Sequence, residues 1–235
     1  MSTILAVDTS CDACSVAVHH SGQEFARHIQ APRQHTQRLL PLIDELLAET
    51  GLSLTNLDAI AYGRGPGSFT GLRICLGVVQ GLAFGSDIPV IPVSTLDVLA
   101  QGAVNQGRAG DQDHVLVALD ARMQEVYGCL YKVVEGLAIA QGEEYVSSPQ
   151  QAAINAQSQN LNPATLLAVG PGHHYPELSA LEVRDRCLDV VPDARDILSL
   201  VFKQSLIESA IKAEEAQPVY LRDSVAWQKR QRIRQ

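Results

Sequence analysis

Ala61–Arg73 reads A-Y-G-R-G-P-G-S-F-T-G-L-R, with four glycines and a proline between Gly63 and Gly71. An apolar run, Leu57–Tyr62, precedes it, and a longer one, Ser68–Phe84, follows. This order describes a buried strand turning sharply into a helix, the building step of an α/β fold. Glycines at such a corner let backbone come close to something, either an anion at the helix N-terminus or other protein. A P-loop would need a lysine and a hydroxyl residue after its last glycine, and Gly67 is followed by Ser68-Phe69. The G-x-G-x-x-G fingerprint fails in both registers, since Gly63 leads to Ser68 and Gly65 to Thr70. What remains is Ser68 as an N-cap and Asp8 at the end of the first strand, together a candidate nucleotide or anion contact. Capping of the T-S-C-D turn is the plainer role for Asp8. The residues favour packing over phosphate. Gly71, Gly77, Gly81 and Gly85 each cost the helix about 1 kcal/mol relative to alanine, which close approach must offset.

Working outward, Ile4–Asp8, Cys14–His19 and Glu24–Gln30 read as three strands joined by tight turns, an antiparallel meander. Leu39, Leu42, Ile43, Leu46 and Leu47 repeat at helical spacing within Arg33–Thr50, with Gly51 as a stop. Pro41 inside that run predicts a kink or a break. The helix Ser68–Phe84 is expected to close at Gly85, followed by a strand over Ile88–Val93 and a helix from Leu96. A second block opens near Asp111. It carries strands over His114–Asp120, Glu125–Val134 and Leu166–Val169, a bend with Asp120 and Arg122, and an E-G turn at Glu135–Gly136. A polar helix over Ser147–Asn160, a glycine loop over Gly170–His174, a helix over Asp196–Ala213 and an extended Pro218–Arg222 complete it. Gln228–Gln235 is a polar, basic tail, expected to be mobile.

The formal net charge of −8 argues against a protein that grips nucleic acid unaided, because phosphate binding wants a basic surface. No apolar run approaches the roughly 20 residues of a membrane span. The first residues enter a strand with no basic stretch before it, so a secretory leader is not expected. Five cysteines, an odd number, suit a reducing cytosol. Cys11 and Cys14 form a C-x-x-C in a loop-then-strand context, which lacks the helix N-terminus of a redox motif. The seven histidines offer no metal spacing, and the pairs His19-His20 and His173-His174 read as solvated turn residues.

The segments V-D-T-S-C-D-A-C-S-V-A-V, P-R-Q-H-T-Q-R-L-L-P, G-R-G-P-G-S-F-T-G-L-R, Q-G-L-A-F-G, P-V-S-T-L, A-L-D-A-R-M-Q-E-V-Y and Q-P-V-Y-L-R occur in this order along the chain. Through them it resembles the bacterial TsaB (YeaZ) family, partner subunits in threonylcarbamoyladenosine modification of tRNA. The resemblance implies an α/β fold of two actin/Hsp70/sugar-kinase-like lobes with the second reduced: residues 1–105, residues 106–227, then the tail 228–235. It also implies what is missing. The catalytic paralogue TsaD has a metal-binding H-x-x-x-H after the strand that follows its A-G-P-G loop, and Thr95 and Leu99 stand in those places here. Leucine cannot ligate a metal, so neither a metal nor another cofactor is expected.

The resemblance therefore implies a non-catalytic, cytoplasmic subunit that binds and activates TsaD, works with the ATPase TsaE, and meets tRNA only through the complex. Alone it would homodimerise. The substrate step would be threonylcarbamoyl transfer onto A37 of tRNAs reading ANN codons. Rivals are a free-standing metalloprotease of the same superfamily and a small kinase or phosphatase; the missing histidine pair and phosphate motifs count against them. The expected partner interface is the apolar surface of Leu39, Leu42, Ile43, Leu46, Leu72, Leu76 and Val79. The glycine loop, Gly63, Arg64, Gly65, Gly67 and Ser68, would set its angle.

Overall fold

Alternation along β1 (Ile4–Asp8) sends Leu5 and Val7 to one side of a sheet and Ile4 and Ala6 to the other, and both sides are covered. The computed structural model describes residues 2–222. β2 (Ala13–His20) and β3 (Gln23–Gln30) continue antiparallel from β1, while β4 (Ala59–Gly65) and β5 (Val90–Ser94) run parallel to it. The order β3-β2-β1-β4-β5 is that of an actin-like lobe. Pro92 fits because β5 is an edge strand, where a missing N–H costs no ladder bond.

Between β3 and β4, α1 (His35–Thr50) lays Leu39, Leu42, Ile43, Leu46 and Leu47 on the sheet and ends at left-handed Gly51. Pro41 does not break it. Its ring lies on the exposed face, where water can serve the carbonyl left without an N–H. α2 (Phe69–Ser86) runs through Gly85, and the left-handed cap is Asp87 at φ 54°. The expected stop at Gly85 is thus two residues early, because aspartate tolerates this conformation better than most side chains.

β5 leads through the Ser94 N-cap into α3 (Thr95–Asn105) and then the second sheet. There β6 (His114–Arg122), β7 (Glu125–Val134) and β8 (Leu137–Ala140) form an antiparallel meander, and β9 (Tyr145–Ser147) pairs with β7. α4 (Pro149–Ser158), β10 (Leu166–Val169), α5 (Pro176–Ser179) and β11 (Asp185–Cys187) complete the lobe. Its order, β8-β7-β6-β10-β11, repeats that of the first lobe.

α6 (Ala194–Lys203) corrects two expectations. It stops at Gln204 instead of reaching Ala213, because Ser205 turns left-handed at φ 53°. It also leaves the second lobe: Ile197, Leu198 and Val201 pack with Ile4, Ala6 and Ile91 on the first sheet. Leu96, Leu99 and Ala103 of α3 pack instead with Val115 and Val117 of the second sheet. Each lobe thus lends the other a helix. The boundary at residue 105 separates the sheets but not the packed units. The expected tail, 228–235, lies outside the described residues.

Candidate functional site

The corner at Gly63–Ser68 presses against the turn after β1. A Cβ on Gly71 would lie 2.0 Å from the Thr9 carbonyl oxygen, and one on Gly67 would lie 2.6 Å from that of Ser10. Hydrogen bonds hold the same surfaces together. The Ser68 N–H donates to the Ser10 carbonyl at 2.7 Å, and the Thr9 hydroxyl donates to the Gly71 carbonyl at 2.8 Å. Ser68 caps α2, its Oγ accepting from the Gly71 N–H at 3.3 Å. Here the protein's own β1–β2 turn fills the space into which a phosphate cradle would open. These contacts give Gly67 and Gly71 a packing reason.

Asp8 lies beneath the corner, 1% exposed. Its Oδ1 accepts from the N–H and the hydroxyl of Ser10, both at 2.8 Å, the turn-capping role read from T-S-C-D. Its Oδ2 is buried with no partner among the described residues, and a Cβ on Gly63 would fall 2.0 Å from it. Burial pushes the carboxyl up to about 6, against the pull of the Ser10 bonds. Ser68 is exposed and Asp8 is sealed, so the two do not face a common ligand.

Arg64 points towards the other lobe. Its guanidinium meets the Glu144 carboxylate at 3.3 Å, and the same oxygen accepts from the Ser94 hydroxyl at the start of α3. Beside them the Tyr131 hydroxyl donates to Asp97 at 2.7 Å. The N-terminus of α3 therefore already holds a carboxylate from the second lobe. Thr95 is buried with no partner for its hydroxyl among the described residues, and Leu99 is fully buried in the core against the second sheet. Among the described residues no group of three or more His, Cys, Asp or Glu side chains could hold a metal ion.

Other candidates are structural. Burial pushes the Cys11 thiol up to about 12 and Cys14 to about 11, so neither is a thiolate at neutral pH. His173 is not solvated: it is 1% exposed, its Nε2 lies 2.9 Å from the Leu116 carbonyl, and burial lowers its pKa to about 4. A cavity of about 760 Å3 lies over α6, lined in part by His28 and Asp193, whose charges reach Asp8. There the Asp193 carboxylate is held by His28 at 3.0 Å and Arg195 at 2.7 Å. Burial opposes its charge, yet those bonds keep Asp193 well below the usual carboxylate range.

The expected apolar interface is largely absent from the surface. Leu39, Leu42, Ile43, Leu46, Leu72 and Val79 are buried under the first sheet's own helices, and Leu76 is half-buried. They are the lobe's core, because a five-stranded sheet needs these two helix faces to cover it. What is exposed is the opposite face of α2. Phe69 is 53% and Phe84 75% exposed, with Arg73, Gly77 and Gly81 between them and half-buried Ile74 and Val78 alongside. A Cβ on Gly77, Gly81 or Gly85 would meet nothing within 4 Å. Against the expectation that no apolar run approaches a membrane span, α2 has a mean hydropathy of 1.3 over 18 residues, long and apolar enough by composition to cross one, with 28% of it buried. The missed signal was that α2 is apolar all round, so covering one face leaves another uncovered.

The comparisons agree with this architecture. A family model described as tRNA N6-adenosine threonylcarbamoyltransferase (TsaD) matches residues 29–229. The tRNA threonylcarbamoyladenosine biosynthesis protein TsaB of Escherichia coli is 43% identical over 96% of this chain and 97% of its own length. The protein of the same name from Haemophilus influenzae is 42% identical, covering 97% and 96%. Among solved structures, YeaZ from Pseudomonas aeruginosa superimposes with a TM-score of 0.86 at 42% identity, over 94% of this chain and all of that one. With such similarity along nearly its whole length, the chain belongs to the TsaB family of tRNA threonylcarbamoyladenosine biosynthesis proteins.

Proposed function

We propose that this protein is a non-catalytic cytoplasmic subunit that binds a TsaD-type transferase and holds it active. The reaction served is threonylcarbamoyl transfer to A37 of tRNAs reading ANN codons, with TsaE as a further member of the assembly. The observation that carries the reading is the exposed face of α2, where Phe69 and Phe84 flank open Gly77 and Gly81. A facing helix can approach closely over glycines and bury such side chains. A partner of the same fold could offer its own equivalent helix, and a second copy of this chain could do so by isologous pairing. Homodimer and heterodimer would then compete for one surface. The sealed Asp8, the carboxylate clasp at α3, and Thr95 and Leu99 in place of a histidine pair support a supporting role over a catalytic one.

The test is a charge on the exposed face. Phe69→Glu and Phe84→Glu should keep the circular dichroism spectrum of the wild type and abolish copurification with the transferase. Val79→Glu is unsuitable, because Val79 is fully buried and a charge there would unfold the lobe. Wild-type affinity in both exposed variants would place the interface elsewhere.

A further inference from the structure

The cavity of about 760 Å3 over α6 lies where the two exchanged helices meet. β3 contributes Glu24 and His28, α6 contributes Asp196 and Phe202, and Asn105 closes it at the end of α3. A concave space of this size is in the range that small ligands occupy.

The cations around it are already engaged. Arg195 forks onto Asp193, its Nε donating to Oδ1 at 3.0 Å and its Nη2 to Oδ2 at 2.7 Å. Lys203 donates to the Gly136 carbonyl at 2.7 Å. The acceptors are less fully used. Asp196 lines the cavity yet is only 6% exposed, and its Oδ1 accepts from the Asn105 amide at 2.7 Å. Its Oδ2 receives no hydrogen bond from the described residues and rests against Gly102, where a Cβ would come within 2.7 Å. Burial pushes the carboxyl up to about 6 in spite of the Asn105 bond, with Asp193 and Glu24 adding repulsion.

His28 adds an acceptor. Its Nδ1 lies 3.0 Å from the Asp193 carboxylate, which can only accept, so the proton sits on Nδ1. In the neutral ring Nε2 is then an acceptor. The apolar part of the wall is half-buried Val191 and Phe202, which is 39% exposed.

We propose that this cavity binds a small organic amine, a diamine or triamine with a short methylene body. Asp196 takes one ammonium, with His28 Nε2 as a further acceptor, and Glu24 takes a second at the exposed rim. The methylenes and their flanking charge lie on Val191 and the Phe202 ring. An anion would meet acceptors and carboxylates, since the nearby guanidinium and ammonium are taken. A bare metal ion would lack ligands, because among the described residues no group of three or more His, Cys, Asp or Glu could hold one. Bound there, the amine touches β3, α6 and the end of α3 together, and so bridges the seam between the lobes. The inference stands apart from the proposed partnership with a transferase.

The experiment is isothermal titration of the full-length chain with spermidine and with putrescine, against magnesium chloride at matched ionic strength. The wild type should show saturable one-to-one binding of amine and none of magnesium. Asp196→Asn keeps the shape, removes the charge and should weaken amine binding about tenfold or more. Glu24→Gln, at an exposed position, should weaken it about threefold. Asp44→Asn, an exposed acid on α1, should change nothing. Circular dichroism and copurification with the transferase should match the wild type in all three. No saturable heat with either amine would overturn the inference, as would wild-type affinity in Asp196→Asn. Equal weakening by Asp44→Asn would also overturn it, since attraction to net charge alone would then explain binding. Should Asp196→Asn fail to fold, unchanged affinity in Glu24→Gln decides against the site. Loss of copurification in a folded Asp196→Asn would make the cavity a protein contact and overturn the proposal.

Discussion

In the first lobe, the order β3-β2-β1-β4-β5 carries helices of 16 and 18 residues; in the second, the same order, β8-β7-β6-β10-β11, carries helices of 10 and 4. Corresponding corners match in sequence too. Gly65-Pro66-Gly67 begins at the last residue of β4, and Gly170-Pro171-Gly172 follows β10, with Gly65 and Gly170 at φ 106° and 94°. Asp8 ends β1 as Asp120 stands near the end of β6. The frames are alike and their surroundings differ. Asp8 is sealed, whereas Asp120 is half-buried, accepts from the Tyr175 hydroxyl at 3.1 Å and pairs with Arg122 at 3.2 Å. The comparison teaches that what a corner can do depends on what covers it. In the first lobe the corner is packed into the core against the β1–β2 turn and one face of α2 is left uncovered. In the second, Asp120 stays half-buried at the corner.

The largest expected effect breaks the first corner. Gly71→Ala drives a methyl into the Thr9 carbonyl, backbone that cannot swing aside. Destabilisation of about 3 kcal/mol or more should appear in urea unfolding. Gly172→Ala sharpens the comparison. Its Cβ would meet Ala118 and Leu119 backbone at 2.7–2.9 Å, a looser fit that should cost less than Gly71→Ala.

Next comes the pair of aspartates. Since burial raises Asp8 to about 6, the folded state holds its proton more tightly than the unfolded state does. That contribution is fully present below about pH 4 and is lost as pH rises through 6. Asp8→Asn keeps an acceptor for Ser10 and should stabilise the protein by about 1–3 kcal/mol at pH 8, with little change at pH 4. Asp120→Asn loses a solvent-washed pair and should change stability by no more than about 1 kcal/mol at pH 8. Equal and opposite results for the two sites would undo the contrast between sealed and open corners.

The smallest effect separates two glycines of one helix. Gly77→Ala meets open space and should stabilise the isolated chain by about 1 kcal/mol through helix propensity. The same methyl should weaken copurification with the transferase if a helix packs over it. Stabilisation without any loss of partner affinity would remove Gly77 from the interface.

Much of this was legible locally. Period-2 and period-3.6 spacing located the meander, α1, α2 and the β6–β7 hairpin, and Gly51 marked its helix end. Apolar run length failed for β9 and β11, three residues each, which exist because a neighbouring strand pairs with them. The candidate interface was misread for a similar reason. Val79 is no more apolar in sequence than Phe84; which of them met the sheet depended on how α2 docks.

Element type, the strand-to-helix corner and the family resemblance were properties of neighbouring residues, since backbone geometry and side-chain period act over a few positions. The purpose of Gly71 was not, because the carbonyl that forbids its Cβ belongs to Thr9, brought there by the β1–β4 pairing. Nor was the exchange of α3 and α6 between lobes, or the free face of α2. These follow from which apolar surfaces meet across the chain, and burial is a property of the packed whole rather than of any one segment.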